Sequence, residues 1–262
     1  MGDPNRYNLA ALRERVRPVR VHWFARLGST NDAAARMRRA RELFAPALVL
    51  TGAQLAGRGR GGNAWWSDGG CITATLAVAV QERFSPHQLP LLVGLALRNA
   101  VAEIAQDASI QLKWPNDVLH RGRKLAGVLC ERVDRLDLVG IGLNVNLDPR
   151  DVPAALRPKV TSLSRVSGRE FDKTAVLSDV VRRVHAVLSR RDEYPFGQVL
   201  REYDRHHALR GRRVSVTVDG RDGRHVIRGT CAGLDAVGRL LVRDRSGRGS
   251  HHRIVAGEVQ VR

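Results

Sequence analysis

Cysteine is scarce in this chain. Its 262 residues hold three, Cys71, Cys130 and Cys231, far apart, with no CxxC pair and no histidine nearby at metal-ligand spacing. That excludes a disulfide framework and a zinc finger or ribbon. Each thiol sits in an apolar, strand-like run, so three buried, reduced thiols in a reducing cytoplasm are expected. Long apolar runs are also missing: none approaches the ~18 residues of a membrane helix. Met1-Gly2-Asp3-Pro4-Asn5-Arg6 has no apolar signal core, and Arg6 fails the Ser/Thr position of a myristoylation motif. No membrane partner is expected. His206-His207 and His251-His252 are adjacent pairs; neighbours on a strand point to opposite faces, so they are poor chelators and are expected at the surface. No internal repeat is visible.

Acidic residues are in short supply too. Twenty-six Asp and Glu face 44 Lys and Arg, giving a net charge of +18. Such a field favours anionic partners such as nucleotides, nucleic acid or acidic proteins. The excess is mostly arginine and is spread along the chain rather than gathered in a tail. General arginine usage therefore explains it at least as well as nucleic-acid binding. At this length the chain buries a full core and holds one large or two unequal domains.

What is present centres on Gly57-Arg58-Gly59-Arg60-Gly61-Gly62-Asn63-Ala64-Trp65. Four glycines in six residues make a poor helix or strand interior. Glycines let backbone N–H groups approach a ligand, and guanidinium groups match phosphate or carboxylate oxygens bidentately. An exposed basic loop and an RGG-like nucleic-acid segment both fit these residues alone.

The surroundings are more regular. A short helix is expected at 9–16 and a strand at 21–24. Ser29-Thr30-Asn31-Asp32 then caps a helix over 33–43, with Arg36, Arg38, Arg39 and Arg41 towards its C-terminal end. A strand at 47–51 leads through Gln54 into the glycine–arginine loop. Residues 71–80 are apolar throughout and predict a central strand buried on both faces. Ser85-Pro86-His87-Gln88 predicts a capping box opening a core helix over 86–106. A short strand at 110–113 runs into Trp114-Pro115-Asn116-Asp117. Strands at 124–133 and 138–147 pair through a turn at 134–137. Gly140, Gly142 and Asn144 share one face, and such glycines mean that something packs against the backbone, either a neighbouring helix or a flat ligand ring. Lys124, Ala126, Val128 and Cys130 share a face of the partner strand. Residues 148–170 look loop-like, and helices are expected at 172–190 and 196–209. From 212 the helical period disappears and only short alternating strands remain, so a small all-β module is expected after a boundary near 208–212.

Taken in chain order, these residues resemble the biotin protein ligases. Ser29-Thr30-Asn31, Gln54, Gly57-Arg58-Gly59-Arg60 with Trp65, and Lys113-Trp114-Pro115-Asn116-Asp117 all match family motifs. So do Lys124-Leu125-Ala126-Gly127-Val128-Leu129, Gly140-Ile141-Gly142-Leu143-Asn144-Val145-Asn146, Thr161-Ser162-Leu163 and the C-terminal Gly257-Glu258-Val259. Gly61 and Asn63 stand where many bacterial members carry arginine; this form is similar to the eukaryotic holocarboxylase synthetases. The resemblance implies a mixed α/β catalytic domain of the biotin/lipoate ligase type over 1–209 and an SH3-like β-barrel over 210–262. It implies a ligase-only member without a DNA-binding helix-turn-helix, acting as monomer or homodimer.

The implied reaction joins biotin to ATP as biotinyl-5′-AMP and then transfers biotin to a lysine of the biotin carboxyl carrier protein of acetyl-CoA carboxylase or a related enzyme. No enzyme nucleophile is required. The work is to hold two anions together and stabilise charge on phosphorus. Carried onto this chain, Arg58, Lys124 and Asp117 are the catalytic candidates. Ser29, Thr30, Asn31, Gln54, Gly57, Arg58, Gly59, Arg60, Lys124, Gly140 and Gly142 are expected around biotin. Arg58, Arg60, Trp65, Asn116, Lys124 and Asn144 are expected around the nucleotide, and Asp117 at Mg²⁺. The glycine-rich loop is expected to close as a lid over the adenylate. A lipoate ligase and a basic nucleic-acid-binding protein are the alternatives.

Overall fold

The computed structural model describes residues 3–80, 84–190, 195–220, 223–244 and 250–262. Asn8 caps the first helix, α1 (Leu9–Arg15), by accepting from the Ala11 amide at 3.0 Å. Strand β1 (Arg20–Leu27) leads to Ser29, whose hydroxyl accepts from the Asp32 amide and starts α2 (Thr30–Arg39). Then come β2 (Ala47–Gln54), β3 (Cys71–Ala79) and α3 (Leu89–Ala105). The capping box is half formed: Gln88 Oε1 accepts from the Ser85 amide at 3.0 Å, but residues 86–88 make a turn and the helix opens at Leu89, three residues later than expected.

Strands β4 (Gln111–Lys113), β5 (Asp117–His120), β6 (Arg123–Val133) and β7 (Leu136–Asn144) follow. Strand β5 was not anticipated, because four residues are too few for a period to register. The β6–β7 turn is tighter than expected: Asp134 adopts φ 51° and Leu136 already pairs with Val133. Helices α4 (Leu163–Ser167), α5 (Lys173–Ser189) and α6 (Phe196–Arg205) complete this part, with Asp172 capping α5. Helix α6 stops short of the expected 209 because residues 206–208 run along β4 instead: Leu112 N donates to His206 O and Ala208 N to Leu112 O, both at 2.8 Å. This buries His207, which was expected at the surface, and burial pushes its imidazole down to about 4.

The seven strands form one mixed sheet in the order β1-β2-β3-β7-β6-β5-β4, with β1 and β2 parallel and the other pairs antiparallel. Strand β3 is buried on both faces, as expected. One face packs on α1, α3 and α5 through Leu12, Ile72, Leu91, Leu97, Val128 and Val180. Each such side chain contributes roughly 1.5–3 kcal/mol on burial. Helix α2 covers the other face at one end only, through Ala33, Ala34, Val49, Ala77 and Leu138. The remainder of that face is the floor of a cavity.

Strands β8 (Arg213–Gly220), β9 (Gly223–Leu234), β10 (Leu240–Arg243), β11 (His251–Ile254) and β12 (Glu258–Val261) form a second, antiparallel sheet in the order β11-β10-β9-β8-β12. Its edges do not pair with each other among the described residues, so the expected closed barrel is not found. Val214, Val216, Cys231, Leu240 and Val242 belong to the same buried cluster as α3, so one core runs across both sheets. The three thiols are free, and burial raises the pKa of each, which keeps them protonated and inert. Among the described residues no helix is long and apolar enough to cross a membrane.

Candidate active site

The N-terminus of α2 forms one wall of the cavity. Thr30 donates from its amide to Gln54 Oε1 at 3.0 Å, and its hydroxyl lies 3.3 Å from the same oxygen. Thr75 of β3 donates to Asn31 Oδ1 at 2.6 Å. The Asn31 amide nitrogen donates to Leu129 O at 3.2 Å and to Glu131 Oε2 at 2.6 Å. Ser29, Thr30 and Asn31 are buried. Asn31, expected at the ligand, therefore spends its amide inside the protein. Its Oδ1 would lie 2.5 Å from a Cβ at Gly140, so the wall at Gly140 is occupied by a helix residue and not left bare. Thr75 was missed, although Thr73 and Thr75 are the polar residues of an otherwise apolar strand and share one face.

The loop 57–65 folds back on itself as a small hairpin. Trp65 N donates to Gly57 O at 2.9 Å, and Gly59 N to Asn63 O at 2.6 Å. Gly61 and Gly62 turn the corner at φ 62° and 78°, where residues with a Cβ are strained. A Cβ at Gly57 would meet Trp65 O at 2.3 Å and Gln54 Nε2 at 2.6 Å. Asn63 donates its side-chain amide to Arg60 O at 3.0 Å, a turn role. Arg58 lies outside the cavity's centre: its guanidinium makes a bidentate bond to Glu131 (3.1 and 3.0 Å) and reaches Asp32 at 2.6 Å. Glu131 hydrogen bonding is the main cause that raises the Arg58 pKa. Neither acid was singled out from sequence. Arg60 is the half-buried arginine of the loop; burial lowers its pKa and the Asp117 charge opposes that. The Trp65 indole lies on Gly142, where a Cβ would come within 2.5 Å of the ring. The flat ring packed on this glycine is therefore the chain's own.

The opposite wall carries the charged pair. Asn116 clips onto β6 twice: its side-chain amide donates to Val128 O at 2.8 Å, and its carbonyl accepts from Val128 N at 2.9 Å. Asp117 Oδ1 lies 2.7 Å from Lys124 Nζ. Lys124 corrects the alternation read from sequence. The β5–β6 register slips between Val118 and Leu119, leaving Leu125 as an extra residue on β6. This turns Lys124 away from the face of Ala126, Val128 and Cys130 and over Gly127, whose Cβ would sit 3.0 Å from Lys124 Cε. Lys124 Nζ is 5.4 Å from the Trp65 ring centroid. Asn144 is buried and donates to Thr161 O at 2.9 Å; its oxygen accepts from the Cys71 thiol at 3.5 Å. It braces strands rather than offering its amide to the cavity.

Together these walls enclose about 630 Å³. The second sheet closes the far side through Thr217, Asp219, Arg224, Gly257 and Glu258. Six cationic residues (Arg58, Arg60, Lys113, Lys124, Lys159, Arg224) line it against Asp117, Asp219 and Glu258. That excess suits an anionic ligand with a neutral, hydrogen-bonding end at Thr30 and Gln54. Among the described residues no three His, Cys, Asp or Glu side chains gather to hold a metal by themselves. Asp117 fits a hard cation shared with phosphate oxygens, the usual arrangement for Mg²⁺.

Residues 23–148 match the model of the biotin/lipoate A/B protein ligase family. The chain is 34% identical over 226 residues to the biotin–[acetyl-CoA-carboxylase] ligase of Mycobacterium tuberculosis, covering 83% of this chain and 81% of that one. It is 30% identical over 232 residues to the enzyme of the same name from Paracoccus denitrificans, covering 86% and 94%. The biotin protein ligase of Aquifex aeolicus, solved in complex with biotin and ATP, superposes with a TM-score of 0.80 at 28% identity over 93% of this chain and 98% of that one. A polar cleft end, a cationic wall and a glycine–arginine loop on this sheet thus occur in a chain that belongs to the biotin protein ligases.

Proposed function

We propose that this protein activates biotin with ATP to biotinyl-5′-AMP and transfers the biotinyl group to a lysine of a biotin carboxyl carrier protein. The observation that carries this reading is the cavity's division: a preformed neutral polar end at Ser29, Thr30 and Gln54, and a cationic region around Lys124 and Arg60. The first suits the ureido head of biotin, the second its carboxylate and the nucleotide phosphates.

In the first step a biotin carboxylate oxygen bonds to the α-phosphorus and the bond to the pyrophosphate oxygen breaks. Lys124 and Arg60 are placed to offset the repulsion between the two anions and the charge that grows on phosphorus. Arg58, expected as a carboxylate–phosphate bridge, has to leave Glu131 and Asp32 to do so; Lys124 already lines the cavity and can keep Asp117 through one of its three N–H donors while the others meet the ligand. Asp117 would be the residue to hold Mg²⁺, which would supply further charge neutralisation. Trp65, seated on Gly142, offers its outer ring face to the adenine. Asn116 and Asn144 hold the strands that carry Asp117 and Lys124. In the second step the carrier lysine amine attacks the biotinyl carbonyl and AMP leaves.

The second sheet is read as an SH3-like module over 210–262 behind a catalytic domain over 1–209. The all-antiparallel short strands and the linker at 206–212 support that division. The decisive experiment is biotin-dependent exchange of pyrophosphate into ATP, with lipoate as control. Exchange with biotin alone is expected; its absence, or exchange with lipoate only, overturns the assignment.

A further inference from the structure

Strand β4 is three residues long and ends in the segment that carries Asn116 and Asp117. Two contacts from outside the catalytic sheet hold it. Along its free edge, the Leu112 amide and carbonyl bond to His206 O and Ala208 N, both at 2.8 Å, which zips the linker between the sheets onto β4. One residue past the strand, the Trp114 indole N–H donates to Gly238 O at 3.1 Å. Trp114 is 2% exposed, so neither partner has a water to replace the other.

Gly238 is itself fixed. It sits at φ +88°, and a Cβ there would come within 2.6 Å of Leu91 Cδ1 and 3.3 Å of the Phe196 ring. Its amide donates to Asp235 O at 2.9 Å, and the neighbouring Val237 carbonyl receives Gln88 Nε2 at 3.4 Å. The β9–β10 turn is therefore wedged against α3 and α6, and the indole takes its position from a rigid acceptor. Three residues beyond Trp114, Asp117 meets Lys124 at 2.7 Å. The polar end at Thr30 and Gln54 lies on α2 and β2 and, among the described residues, shares no hydrogen bond with this segment.

We propose that Trp114 is a positioning residue for the nucleotide half of the site, and that the Gly238 turn of the second sheet sets its position. The indole bond fixes the direction in which the 114–117 segment leaves β4, and so where Asn116 and Asp117 stand relative to Lys124. The inference rests on the proposed two-substrate reading of the cavity, because it separates ATP from biotin.

Trp114→Phe keeps an aromatic ring in the slot and removes the donor. In pyrophosphate exchange the KM for ATP is expected to rise roughly fivefold to tenfold, the worth of one neutral hydrogen bond, while the KM for biotin stays within about twofold. Gly238→Ala disturbs the acceptor from the other sheet and is expected to give the same ATP-selective rise, which keeps the test decisive should Trp114→Phe fold poorly. Both KM values unchanged alongside a lowered Tm would make the bond purely structural and overturn the proposal. A parallel rise of both KM values would overturn it too, as general loosening of the site. Absence of biotin-dependent exchange in the unaltered protein would instead overturn the underlying reading.

Discussion

Ser29–Asn31 and Gly57–Trp65 line one cavity side by side, yet they spend their polar groups in opposite ways. The Ser29–Asn31 segment is buried, and its amide and hydroxyl groups bond to Gln54, Thr75, Leu129 and Glu131. The loop bonds mainly to itself, through Gly57–Trp65 and Gly59–Asn63, and among the described residues its long-range hydrogen bonds are those of the Arg58 guanidinium on two acids. The first arrangement is preorganised: little ordering entropy remains to be lost when a ligand arrives. The second can exchange partners, because the Arg58 ion pairs are partly exposed and cheap to give up. One segment is held by partners from other elements and the other largely by itself, and the chain gives each a different bonding pattern.

The largest effect is expected where both regions converge on charge. Lys124→Ala should lower pyrophosphate exchange by ~10²–10³-fold with little change in Tm, since its pair with Asp117 is partly exposed. A loss under tenfold would remove Lys124 from the chemistry. Next comes the rigid side. Asn31→Ala removes the hydrogen bonds to Thr75, Leu129 O and Glu131 from a buried wall, and each lost bond costs about 0.5–1.5 kcal/mol. A Tm fall of roughly 2–4 °C per kcal/mol follows for a domain of this size. Thermal melts showing no shift would mean that this wall is not the stiff half.

The loop is tested through its anchor. If Arg58 serves to moor the loop, Arg58→Gln, Glu131→Gln and the double variant should slow exchange about equally, by roughly tenfold, since all three break one bond network. If Arg58→Gln alone falls by ~10²–10³-fold, its guanidinium belongs on the reacting phosphate. Gly142→Ala should be milder, a few-fold rise in the KM for ATP at near-constant KM for biotin, because the added methyl lifts the Trp65 ring.

The smallest effect concerns the end where the loop rejoins the sheet. The buried Lys173 donates to Gly69 O at 2.7 Å, and its ammonium lies 4.5 Å from the Tyr7 ring centroid. Burial pushes its pKa down to about 8, against ~10.4 in an unfolded chain. Between those values the unfolded state holds the extra proton, so stability rises with pH across that window. Below it the folded protein carries a buried charge. Tm measured from pH 8 to 10 should climb less in Lys173→Met than in the unaltered chain; identical slopes would refute the assignment.

Much of this was legible in the residues themselves. The cap at Ser29 and the apolar run at 71–79 depend on neighbours a few positions away, and the chain carries those neighbours with it. The motif set from Ser29 to Asn146 marked which segments meet, and the sheet does bring Thr30, Gln54, Arg60, Trp65, Asp117 and Lys124 around one cavity.

What each residue does there was settled by contacts distant in sequence. Lys124 faces the cavity because β5, too short to foresee, slips its register on β6. Arg58 meets acids 26 and 73 residues away, and only the packing of α2 against β6 brings both to one guanidinium. Gly142 is roofed by Trp65 because the loop closes on itself, and His207 is buried because β4 has a free edge to fill. Local composition determined which backbone shapes the chain adopts, because propensities and caps act within a turn or two. Register and packing between remote strands decided where each charge points, because a one-residue slip reverses a side chain without altering a single letter of the sequence.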